Sequence, residues 1–106
     1  MTNPKQLLAA SAASCYLMTL AAMLQGNKIP ATSISLRSEL AGTQKSNLKI
    51  KHMVDIALSE DATPEQLSSA QTLIVGADKS CMIGNLLKDA GVQITVTGNA
   101  LISSDV

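Results

Sequence analysis

Hydrophobic and polar positions divide the chain into segments of different period. From Gln6 to Asn27 there is no charged residue, and the central stretch "LLAASAASCYLMTLAAML" predicts a helix that is apolar on every face. Thr2 or Asn3 can cap its start, Pro4 suits the first helical position, and Gly26-Asn27 can take the left-handed conformation that closes a last turn. Such a helix needs a sheet or a second helix on nearly every side, and its many alanines let another backbone come close. "TSISLRSEL" then alternates, with Ile34, Leu36 and Leu40 on one face. After a turn around Gly42 to Asn47, "LKIKHMVDIALS" alternates more strictly, with Leu48, Ile50, His52, Val54, Ile56 and Leu58 together. The pair predicts an antiparallel hairpin with one face on the long helix.

The second half opens on a capping box: Thr63 as cap, Pro64 at the first helical position and Gln66 at the third. Leu67, Ala70, Ile74, Ala77 and Cys81 follow at helical steps, so Cys81 falls on the apolar stripe, with Gly76 or Gly84 as places for a bend or break. "LLKDAG" ends the helical region at Gly91, and "VQITVT" supplies a strand with Val92, Ile94 and Val96 on one face. With no repeat and no linker, residues 1–106 are expected to form a single α+β domain.

Charge and composition remove several function classes. Eight basic and eight acidic residues leave no field for a polyanion, and Tyr16 is the only aromatic, so no nucleic-acid partner is expected. The uncharged run is long enough to cross a ~30 Å hydrocarbon layer. Interrupting serines, threonine and glutamines, alanine in place of leucine, and flanks without a basic cluster or aromatic belt speak against a membrane span. A single Lys5 and no small-residue cleavage pattern speak against an export signal. The expected compartment is the cytoplasm, and two cysteines do not make a secreted disulfide scaffold.

"NPKQLLAASAASCYLMTLAAM", two strands, and then "AQTLIVGADKSCMIGNLLKDAGVQITV" resemble the OsmC/Ohr family of thiol-dependent hydroperoxide reductases over nearly the whole chain. In that family an "NPEQL…AACF" segment opens a buried helix, and a second cysteine follows in a later helix. The resemblance implies an OsmC-like α+β fold and an intertwined homodimer in which the apolar helix is buried between subunits, not in lipid. By position, Cys15 would be the peroxide-attacking thiol and Cys81 the resolving one, with an organic hydroperoxide as substrate, an external dithiol as reductant, and no cofactor or metal. A thiolate opens the O–O bond to leave a sulfenic acid, and a second thiol condenses with it to a disulfide.

The sequence departs from the family at the groups that activate the first cysteine. Lys5 stands where the family has the glutamate of "NPEQL", the strands carrying the family's arginine would precede Met1, and Met82 follows Cys81 where a proline is usual. Ten residues of ideal helix rise about 15 Å, so Lys5 could reach Cys15 only through a bent helix start or from a partner chain. His52, on the apolar face of its strand, is the other possible activating residue, against a purely structural role as a hydrogen-bonded core histidine. Without a cation, Cys15 is expected to titrate at or above the ~8.5 of a free thiol. Should it be more acidic, Arg37 or the amide end of a broken helix is the remaining source. Met18 and Met23 are packing residues in this reading. The alternative function is a catalytically degenerate OsmC-like dimer that binds an apolar small molecule or another chain around its helices.

Overall fold

Helix α1 runs from Pro4 to Gly26, as the proline at its head predicts. The protein is described here in a computed structural model over residues 4–42 and 48–102, the side chains of Pro4 and Lys5 excepted. The predicted caps Thr2 and Asn3 and most of the turn before Asn47 fall outside that range. α1 ends in a Schellman motif, in which Ile29 N–H reaches the Leu24 carbonyl and Lys28 N–H the Gln25 carbonyl, each at 3.0 Å. The left-handed residue is Lys28, at φ 58°, in place of the expected Gly26-Asn27 pair.

Strand β1 (Ala31–Ala41) and strand β2 (Lys49–Leu58) form the predicted antiparallel hairpin, with Leu36 opposite Val54 and Ser38 opposite His52. The alternation holds: Leu48, Ile50, His52, Val54, Ile56 and Leu58 are all buried, while Lys49, Lys51 and Asp55 face out. Helix α2 (Pro64–Ser80) begins with the complete capping box, Thr63 Oγ1 accepting from Gln66 N–H and Gln66 Oε1 from Thr63 N–H. It breaks at Cys81 itself, neither at Gly76 nor at Gly84. Helix α3 (Met82–Asp89) follows, and Gly91, at φ 98°, closes the helical region as predicted.

Strand β3 extends from Gln93 to Ile102, further than the alternation of "VQITVT" indicates, and pairs with β2 in parallel. The expectation of an antiparallel sheet is therefore corrected: in the order β1-β2-β3 only the β1-β2 edge is antiparallel. The physical reason is the connection. A short connection joins the antiparallel β1 and β2, whereas the α2–α3 crossover from Leu58 to Gln93 carries the chain back to the same end of the sheet.

The result is two layers, all three helices on one face of the sheet. Ala12, Tyr16, Leu20 and Leu24, one helical turn apart on α1, are buried; the last three join Val54, Ile56, Leu58, Ala70, Ile74 and Ala77 in the main core. Ala12 joins Leu48, Ile50 and Val92 in a smaller cluster. Within the chain α1 is thus covered along one stripe only, and its other face, with Leu7 and Met18 58% and 70% exposed, stays open.

On β3 the backbone of Gly98 and Ala100 is sealed by a side chain of α2. Gln71 donates to the Gly98 carbonyl at 2.8 Å and accepts from Ala100 N–H at 3.0 Å, taking the place of a neighbouring strand. Gln71→Ala leaves the part-buried Ala100 amide without this partner and is expected to destabilise the fold by about 1–3 kcal/mol, read as a lower urea midpoint. An unchanged midpoint would mean that water replaces the glutamine amide without loss.

Candidate functional site

The exposed face of α1, with Ile83 at the start of α3, forms a shallow, open groove of about 740 Å³. Leu7, Ala10, Met18 and Ala22 from α1 and Ile83 from α3 make it apolar, and Cys15 stands in its wall. Periodicity explains the placement. Cys15 directly precedes the core residue Tyr16, so its side chain sits at the margin of the buried stripe, half-buried and facing both the groove and α3.

Cys81 is buried, 2% exposed, at the break between α2 and α3. Its extended backbone, φ −77° and ψ 114°, ends one helix and starts the next, and its Sγ caps α3 by accepting from Gly84 N–H at 3.4 Å. A Cβ on residue 84 would lie 3.4 Å from that sulfur, so the glycine leaves it room. The two thiols are near enough for each to change the other's acidity, and both are free.

The pair is electrostatically unequal. The hydrogen bond from Cys81 is the largest influence on Cys15 and lowers its pKa; burial opposes this, and the backbone amides of Ile83 and Met82 and the Thr19 hydroxyl lower it further. Cys81 moves the other way, raised first by burial and then by serving the Cys15 sulfur, with only backbone amides, Gly84 foremost, opposing. The expectation that Cys15 titrates at or above an ordinary thiol is corrected in direction. The amides at the start of α3 act in the same direction as a cation would, since unpaired amides at a helix start carry partial positive charge.

The other sequence candidates are placed elsewhere. His52 lies in the interior, where its Nδ1 and the Ser38 hydroxyl share a hydrogen bond of 2.6 Å and its ring stacks on Tyr16 at 5.2 Å between centroids. Burial holds its pKa below the usual histidine range, Asp78 pulling back and Lys88 adding to the depression. The Tyr16 hydroxyl donates to the Ile74 carbonyl at 2.7 Å, and burial pushes its pKa up. Asp78 and Lys88 join α2 to α3 in an ion pair of 2.9 Å. Arg37 is on the outer sheet face, donating to Met53 Sδ at 3.6 Å. The Lys5 side chain lies outside the described residues.

Cys15 and Cys81 are therefore brought together, while His52 is engaged with Ser38 and Tyr16. The donors that sequence reasoning passed over are Thr19 and the amides of Met82 and Ile83. Thr19 carried a signal, its four-residue spacing from Cys15. The amides carried none beyond the alternative of a broken helix.

Comparison with known proteins agrees with this architecture. The description "OsmC-like protein" matches residues 1–97. The uncharacterized protein YmaD of Bacillus subtilis strain 168 is 32% identical over 91 residues, which are 82% of this chain and 61% of that protein, so the chain spans under two thirds of its relative's length. Among solved structures, an organic hydroperoxide resistance protein OsmC from Legionella pneumophila superposes with a TM-score of 0.70 at 24% identity, over 92% of this chain and 69% of that one. An OsmC-like protein from Mycoplasma pneumoniae gives 0.71 at 18% identity, over 93% and 72%. The organic hydroperoxide resistance protein OhrB of Bacillus subtilis gives 0.65 at 22%, over 92% and 70%. At such identities the solved structures speak to the fold alone. The match over residues 1–97 speaks to descent, and the chain belongs to the OsmC-like protein family.

Proposed function

We propose that the protein reduces organic hydroperoxides, with Cys15 as the attacking thiol and Cys81 as the resolving thiol. The observation that carries this reading is the pair of free cysteines beside an apolar groove, the groove-side thiol made more acidic by its neighbours and the buried one less. The Cys15 thiolate attacks the terminal oxygen of the peroxide. An S–O bond forms as the O–O bond breaks, and the alkoxide leaves with the electron pair and takes a proton from water in the groove. Cys81 then attacks the Cys15 sulfur. The S–S bond forms, the S–O bond breaks, and hydroxide departs as water with the Cys81 proton. The two thiols have supplied two electrons, which an external dithiol restores.

The groove favours peroxides with a hydrocarbon substituent, since each buried methylene gains about 0.8 kcal/mol and hydrogen peroxide has none to bury. The open face of α1 accords with a homodimer, in which a second copy covers Leu7 and Met18 and narrows the groove.

Intact-mass analysis after cumene hydroperoxide tests the reading. The expected product is a loss of two hydrogens per chain, mapped to Cys15–Cys81, with a rate that rises through a midpoint below the ~8.5 of a free thiol and levels off above it. Two thiols still free after an oxidant excess that modifies free cysteine would overturn the peroxidase reading and leave the groove as a binding site without turnover.

A further inference from the structure

Thr19 stands one turn beyond Cys15 on the same side of α1, half-buried, in the wall of the same groove. Its hydroxyl donates to the Cys15 carbonyl at 2.8 Å. In a helix that carbonyl already accepts the backbone N–H four residues on, so the hydroxyl bond is a second one and can be given up without orphaning the oxygen. The same hydroxyl is among the groups that lower the pKa of the Cys15 thiol. A hydroxyl has a single proton, so it can serve the carbonyl or the sulfur at one time and not both.

The remaining donors to the sulfur come from across the interface with α2 and α3: the Cys81 thiol and the amides of Met82 and Ile83. Thr19 is the donor that belongs to α1 and borders the space where a peroxide would enter. We propose that Thr19 is a catalytic residue, whose hydroxyl turns from the Cys15 carbonyl to Cys15 Sγ when the thiol ionises and is released again as the sulfur's charge passes into the new S–O bond. The second half of that statement rests on the hydroperoxide reading; the first half does not. Other titratable groups on and around this part of α1 are Cys81, Tyr16, His52, Asp78 and Lys88. Of these, Cys81 bonds to the sulfur, Tyr16 and His52 are turned to the core, and Asp78 and Lys88 hold each other.

The test compares Thr19→Val, which keeps shape and branching without the hydroxyl, with Thr19→Ser, which keeps the hydroxyl. Iodoacetamide labelling of the Cys15 peptide is followed across pH, and consumption of cumene hydroperoxide is followed at about pH 6.5, roughly two units below a free thiol. Thr19→Val should raise the labelling midpoint by about one pH unit and slow peroxide consumption about tenfold, in step with the thiolate fraction. Thr19→Ser should stay near the parent in both. A valine variant that is folded by circular dichroism and labels with the parent's midpoint overturns the proposal, as does a serine variant that behaves like valine. The arms separate the two ideas: a shifted midpoint in a protein that consumes no hydroperoxide upholds Thr19 as the thiolate's donor and overturns its catalytic part together with the peroxidase reading. A parent that consumes peroxide, with no shift on Thr19→Val, upholds the peroxidase reading alone.

Discussion

Replacing Cys15 by serine is expected to lower hydroperoxide consumption by roughly three orders of magnitude or more, the scale on which loss of a nucleophile is felt. The donors around position 15 favour the thiolate over the thiol. A serine hydroxyl stays protonated there, and no arrangement of amides ionises it. Cys81→Ser behaves differently. A serine hydroxyl can still donate to Cys15 and still cap α3 at Gly84, because serine is among the preferred caps. Cys15 should therefore keep its acidity, react once, and stop at the sulfenic acid, which dimedone traps and mass spectrometry locates. Cys81→Ala removes the donor as well and should raise the Cys15 labelling midpoint. Undiminished peroxide consumption by Cys15→Ser would sink the assignment of the nucleophile.

Gly98→Ala is expected to destabilise the fold by about 3 kcal/mol or more, the upper end of overpacking effects. Gly98 is paired with Val54 across the parallel β2-β3 edge, and a Cβ there would fall against the Val54 carbonyl and 2.5 Å from Val54 Cγ1. A neighbouring side chain could swing aside, but a backbone carbonyl in the central strand moves only if the pairing moves. Displacing β3 at this point also breaks the Gln71 bonds to Gly98 and Ala100, so the α2 contact is lost with it. Thr97→Ala, on the exposed face of the same strand, serves as the control and should stay within about 1 kcal/mol. Urea unfolding of the two variants measures the difference; equal midpoints would show that the β2-β3 edge has slack.

Elements with a strong local signal were legible in the sequence. Thr63, Pro64 and Gln66 act within four residues of one another, so the start of α2 needs no tertiary partner to be recognised. The alternation of β1 and β2 is likewise a local record of which side is buried, and it put His52 indoors correctly. The cysteine pair was legible through the family resemblance, and the structure has the two thiols near enough for each to change the other's acidity. The acidity of Cys15 was not legible. It depends on amides that have no side chain to read, made available because the helix breaks at Cys81 and not at a glycine.

By itself, the sequence determined the order and type of the elements, the buried face of each strand and the capped start of α2, because these follow from side chains acting on their own backbone and on alternate exposure to water. Tertiary structure alone decided that β3 runs parallel to β2, that Lys28 takes the left-handed position, and that the amides at the start of α3 act on Cys15. Each of these is a contact between groups distant in the chain or between backbone atoms common to all residues, and neither kind leaves a periodic trace in the order of side chains.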